Sequence, residues 1–183
     1  MDESQKINQI AMRFGLTLIN KGFEITRNAS KISRVNYPSN IIKNFLSDQT
    51  SIIPSSISLA DEKYYLTNLE KVKEIIEIDW TNTFKYVVDN WDCDNFAMLF
   101  ASEGGNLYGL NTFFVAFGNI YDSNTGAFLF RHAFNLILTQ DNGITNLYLY
   151  EPQTDEIALW KKGQNNVLLS GKWKYVPDWI LGW

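Results

Sequence analysis

Apolar positions recur at spacings of three and four over residues 3–21, where Ile7, Ile10, Ala11, Phe14, Leu16, Leu18 and Ile19 fall at helical spacing and Gly22 suits a C-cap. That stretch predicts an amphipathic helix. Residues 28–40 are rich in Ser and Asn, contain Pro38, and read as a loop. A short helix is expected after Ser39, with Ile41, Ile42, Phe45 and Leu46 as its apolar face, and a loop over 48–58. A further helical stripe runs over 59–77 through Leu66, Leu69, Val72, Ile75 and Ile76. Residues 80–92, WTNTFKYVVDNWD, are aromatic positions broken by polar ones and suggest no definite element.

The pattern changes after Cys93. Residues 94–103, DNFAMLFASE, have few β-branched positions, Asp94 as a candidate N-cap and a stop at Gly104-Gly105, which predicts a helix. The runs NTFFVAFGNI, GAFLFRHAFNLILT, NLYLYEP and EIALW then read as strands, separated by the turn-forming DSNTG, QDNG and PQTD. Asp141-Asn142-Gly143 is a strong hairpin signal. Helices followed by a mostly antiparallel sheet make an α+β plan, with an N-terminal helical region at 1–79 and a core at 80–183, together one compact domain. The apolar tail WKYVPDWILGW is expected to dock on the body.

Composition narrows the class. A chain of 183 residues with 45% hydrophobic positions is enough for one domain with a sizeable core. The formal charge of -4, without a basic run, argues against nucleic-acid binding through phosphates. The start MDESQKINQ lacks the features of a secretory signal, and no stretch approaches the ~18 apolar residues of a membrane span. The expected setting is therefore cytoplasmic, with no membrane partner. The single cysteine excludes an internal disulfide.

That cysteine, Cys93, lies between Asp92 and Asp94 at the start of a predicted helix, where the helix dipole favours a thiolate. The single histidine, His132, shares one face of a strand-like run with Phe128, Phe130, Phe134 and Leu136. If the next run folds back so that Asp141 faces Asn142, His132 falls opposite Glu151, with Cβ atoms ~5 Å apart. A carboxylate beside an imidazole fixes its tautomer and favours its charged form. A thiol, an imidazole and a carboxylate so placed have the general form of a nucleophilic triad, with the helix N-terminus facing any oxyanion.

The succession DCDNFA, HAFN and LYEPQT resembles the papain-like cysteine protease domain of fungal chimeric agglutinins, whose similar motifs also occur in bacterial and phage proteins. The resemblance covers roughly residues 80–160. It implies a papain-like fold with Cys93 as nucleophile, His132 as general base and acid, and Glu151 as the orienting carboxylate. It also implies Gln153 as a supporting residue and a peptide or protein as substrate. No cofactor is needed for that chemistry, although the family's calcium dependence implies Asp92 and Asp94 as oxygen ligands for Ca2+. Papain-like enzymes place a glutamine ahead of the cysteine for the oxyanion, and FKYVVDN holds none. Asn90 and Asn82 are the candidates left. The expected function is a cysteine peptidase. The alternatives are a catalytically silent structural or binding protein, and an amidase or transglutaminase-like enzyme acting on other amides.

Overall fold

The computed structural model describes residues 32–183 apart from Ser170. The helix expected over 3–21 lies outside the described residues, as does the start of the polar loop expected from 28.

Residues 35–66, expected within a helical region, supply three strands. Strand β1 (Val35–Pro38) pairs antiparallel with β3 (Lys63–Leu66), Val35 opposite Leu66, so tertiary pairing overrides the loop-like composition of 28–40. The expected helix over 59–77 is cut for the same reason. Lys63, Tyr64, Tyr65 and Leu66 alternate exposed and buried, which is a strand's period of two, and Leu66 belongs to that pattern. Asn68 then starts helix α2 (Leu69–Ile78) by accepting the Lys71 N–H at 2.8 Å, and Val72, Ile75 and Ile76 form its buried face. Helix α1 (Ser39–Thr50) follows β1 directly and buries Ile42 and Leu46. The segment expected as a loop from 48 instead ends this helix, forms a 3₁₀ turn at Pro54–Ser56 and enters strand β2 (Ile57–Leu59).

The second half follows the predicted order: helix α3 (Cys93–Tyr108), then β4 (Phe113–Asp122), β5 (Phe128–Asp141), β6 (Ile144–Glu151) and β7 (Glu156–Leu159). The tail does more than dock. As β9 (Trp173–Gly182) it pairs with β4 on one side and with β2 on the other, and the short β8 (Val167–Leu168) also pairs with it. The described sheet runs β2-β9-β4-β5-β6-β7, with β2 and β9 parallel and the other neighbours antiparallel.

Alternation along these strands feeds two cores. Phe114, Ala116, Phe134, Leu136, Leu138, Leu147, Leu149 and Ile180 pack with Ile42 and Leu46 of α1. Phe113, Val115, Ala133, Ile137 and Tyr150 pack with α2 and with Ala97, Phe100 and Ala101 of α3. Asn135, fully buried on β5, fastens α3 to the sheet by donating to Ala97 O at 2.9 Å and Phe114 O at 3.1 Å. Among the described residues, no helix is long and apolar enough to cross a membrane.

Candidate functional site

Helix α3 begins two residues earlier than Asp94 allows as a cap. Asp92 is the N-cap, and its backbone N–H donates to Asn95 Oδ1 at 3.1 Å within a capping box. Cys93 is therefore the first helical residue. Asp94 lies in the first turn and accepts the Asn95 N–H at 3.0 Å. Its carboxyl is bonded to that of Asp92, and this contact, followed by partial burial, holds Asp94 above the usual carboxylate range.

The β5–β6 register differs from the expected one by two residues. Asp141 faces Ile144, because Asn142 and Gly143, at φ 52° and 80°, form the two-residue turn that Asn-Gly favours. A shift of two keeps every side chain on its face. His132 and Glu151 thus become diagonal neighbours, and His132 Nε2 lies 2.7 Å from Glu151 Oε2. The last pair between the strands is Asn135 with Tyr150, so β5 continues beyond β6 with an unpaired edge. Beyond that last pair the start of α3 comes alongside, so that Cys93 and His132 line one cavity and the thiol favours the charged form of the ring. Since Nε2 is taken by Glu151, Nδ1 is the nitrogen left for the thiol.

Glu151 is 1% exposed and is held by three donors. Tyr175 Oη donates to Oε2 at 2.9 Å, the Gln153 backbone N–H donates to Oε1 at 3.3 Å, and His132 completes the set. The His132 ring sits among Phe130, Trp173, Tyr175 and Phe134, with ring centroids 5.9 to 6.4 Å away. Burial there opposes its charge. Hydrogen bonds to Cys93 and Glu151 and the charge of Glu151 outweigh that, and raise the imidazole to about 9.

An open cavity of about 250 Å³ gives access to this group; Asp92, Cys93, Asp94, Phe117, Arg131 and His132 line it. The remaining expected residues lie elsewhere. Gln153 serves Glu151 through its backbone. Asn90 is exposed in the turn before α3, where its N–H donates to Val87 O at 3.1 Å, and it does not line the cavity. Asn82 bonds Asp155. Asp92 and Asp94 are two carboxylates, short of the about six to eight oxygens calcium takes. Among the described residues no group of three or more His, Cys, Asp or Glu side chains is arranged to hold a metal. Sequence reasoning missed Tyr175, although the alternation of its tail was available as a signal. It also missed Asn135, a polar residue inside the apolar run FNLIL, which is itself a mark of a required hydrogen bond.

Residues 32–169 match the family model of the ricin-type beta-trefoil lectin C-terminal domain. No curated protein matches the sequence. Among solved structures, the PSL1a-E64 complex is similar at a TM-score of 0.55 and 17% identity, covering 80% of this chain and 51% of that one. The Polyporus squamosus lectin bound to the human-type influenza-binding epitope Neu5Acα2-6Galβ1-4GlcNAc is similar at a TM-score of 0.52 and 16% identity, covering 80% and 49%. The chain thus spans about half the length of these structures. At such identities they show the fold alone: mixed helix and sheet, mostly antiparallel.

These findings correct the functional expectation. The matched family and the structural neighbours are those of lectins, with no support for a papain-like protease. The cysteine peptidase does not stand, nor does the reading of Cys93, His132 and Glu151 as a hydrolytic triad. The amidase or transglutaminase-like alternative falls with them. The peptide substrate is corrected too, since the neighbours are described with a carbohydrate epitope and with E64.

Proposed function

The chain belongs to the ricin-type beta-trefoil lectin C-terminal domain family, and from that premise we propose that it takes part in carbohydrate recognition. The observation that carries the reading is the family match over residues 32–169, most of the described chain. The fold suits the role. A rigid sheet holds an open cavity with a few fixed polar groups and an aromatic wall, which is the usual make-up of a small-ligand site. A glycan array probed with the full 183-residue chain tests it. Reproducible binding to a defined set of saccharides is the expected result, and an array with no signal above a denatured control rejects the reading.

A second reading concerns the thiol, without hydrolysis. A charged imidazole held beside Cys93 by a buried carboxylate is a setting in which a thiolate is nucleophilic. The substrate class is a small electrophile such as an epoxide. Sulfur bonds to a ring carbon, the carbon–oxygen bond opens, and the alkoxide takes its proton from His132. Mass spectrometry after exposure to an epoxide tests it: a single adduct on Cys93 supports the reading, and an unmodified thiol rejects it.

A further inference from the structure

We infer that the N-terminal segment, residues 3–21, docks as an amphipathic helix on the outer face of α3, over Met98, Ser102 and Gly105. This goes beyond carbohydrate recognition and names the occupant of a helix face that the described fold leaves uncovered.

Helix α3 is covered on one side only. Its buried residues are Phe96, Ala97, Phe100, Ala101, Gly104 and Tyr108. Met98, Ser102 and Gly105, spaced by four and three positions, share the opposite side. Met98 is 38% exposed, and Ser102 and Gly105 are half-buried. The two adjacent glycines show how the sides differ. A Cβ on Gly104 would stand 2.4 Å from the Phe113 ring, so packing on β4 requires glycine there. A Cβ on Gly105 would meet no described atom within 4 Å. Glycine weakens a helix interior relative to alanine, and at Gly105 neither packing among the described residues nor a positive φ offsets that. The close approach of a further element would.

The course of the chain says which element. Ile32, the first described residue, is 8% exposed and belongs to the core that α2 and α3 share. Arg34 lies over the end of α3, where a Cβ on Gly109 would stand 2.6 Å from its Nη1. Arg34, Gly105 and Gly109 line one cavity of about 380 Å³. Residues 1–31 therefore join the fold at the Gly105 end of α3, and they carry Ile7, Ile10, Ala11, Phe14 and Leu18 at spacings of three and four. Lengths agree: a helix over 3–21 is about 28 Å long, α3 is about 24 Å, and the connection through 22–31 reaches up to about 35 Å. Charge agrees as well. Residues 1–31 hold five Lys and Arg against three Asp and Glu, and the remainder eleven against seventeen. Helix α3 itself has Asp94 and Glu103 and no basic residue. A second copy of the chain, at a net charge of -4, is repelled where this basic segment is attracted.

Two measurements on the full chain test the docking. In the first, a thiol placed by Ser102→Cys, with Cys93→Ser, is alkylated by iodoacetamide before and after Ile10→Asp and Phe14→Asp are added. Alkylation is expected to quicken on the order of tenfold once the aspartates are present, while a probe placed by Leu107→Cys, away from this face, keeps its rate. An unchanged rate at position 102 overturns the inference. So does protection that disappears on dilution, which assigns the face to a second copy. The second measurement is the thermal midpoint of Gly105→Leu, which decides the matter even where the aspartates unfold the chain. With the face occupied, the added side chain should lower the midpoint by about 2–4 °C. A midpoint that stays or rises, as better helix propensity on an empty face dictates, overturns the inference.

Discussion

His132 is the residue at which opposing effects are most finely set. Burial disfavours its charge, while Cys93 and Glu151 favour it strongly enough to raise the ring from 6.5 to about 9. The resulting stabilisation is complete below about 6.5, the value of the unfolded chain, and is lost as pH rises through about 9. Urea midpoints taken across that range should therefore show the wild type's advantage over His132→Gln shrinking toward the alkaline end. An advantage independent of pH contradicts the assignment. The same contacts predict a reactivity difference. Glu151→Gln lowers the tendency of His132 to hold a proton beside the thiol, so alkylation of Cys93 by iodoacetamide near neutral pH should slow on the order of tenfold. Equal rates in the two proteins, followed by mass spectrometry, would separate Glu151 from any influence on the sulfur.

Between elements, the junction of α2 and α3 carries a second titrating group. Asp79 closes α2, and its Oδ2 is buried with no hydrogen-bond partner. Glu103, on α3, touches it and is pushed up to about 8, first by burial and then by Asp79, with the Trp80 indole opposing. A protonated Glu103 supplies the donor that Oδ2 lacks. This raised carboxyl stabilises the fold fully below about 4.5 and loses that effect as pH rises through about 8. Glu103→Gln keeps a donor and cannot titrate, so its thermal midpoint should vary less than the wild type's from about pH 5 to about pH 8. An unchanged profile would show that the two carboxyls do not share a proton. The strands of this half were legible because β4 to β7 carry alternation between clear turns, whereas α3 was legible in kind but not in extent: it is capped by Asp92 rather than Asp94 and runs through the expected stop at Gly104-Gly105 to Tyr108, where Gly109 ends it. The hairpin register was not, since DNG permits more than one pairing and only the backbone at Asn142 and Gly143 selects one. The two-residue error left His132 and Glu151 on one face, which is why their proximity survived it. Strands β1 and β3 were hidden for another reason: their partner is one another, and a four-residue strand inside helical spacing has no local signature strong enough to announce itself.

Across the whole molecule, chain order and spatial order part company at β9. The last strand in sequence lies inside the sheet, between β2 from the first third of the described chain and β4 from the middle. Sequence patterning marks its residues as apolar but cannot say which strands they join, because parallel pairing across more than a hundred residues leaves no local trace. Function was limited in a similar way. Motifs at Cys93, His132 and Glu151 pointed to one place in space, while the peptidase chemistry, read from the triad's general form and from the resemblance, was overturned by the wider family match. The tail also reaches the site: Tyr175 bonds Glu151, and Trp179 stacks on Phe117 of the cavity wall. Stability and binding should therefore be separable along this one strand. Ile180 is fully buried in the core that α1 covers, so Ile180→Ala should cost about 2–5 kcal/mol in urea unfolding and lower saccharide affinity only in proportion to the unfolded fraction. Tyr175→Phe removes one donor to Glu151 from a buried site and should cost about 1–3 kcal/mol, with its loss visible also in the His132 ring resonances by NMR. If Ile180→Ala leaves the midpoint unchanged, β9 is not the interior strand on which both the sheet and the site depend.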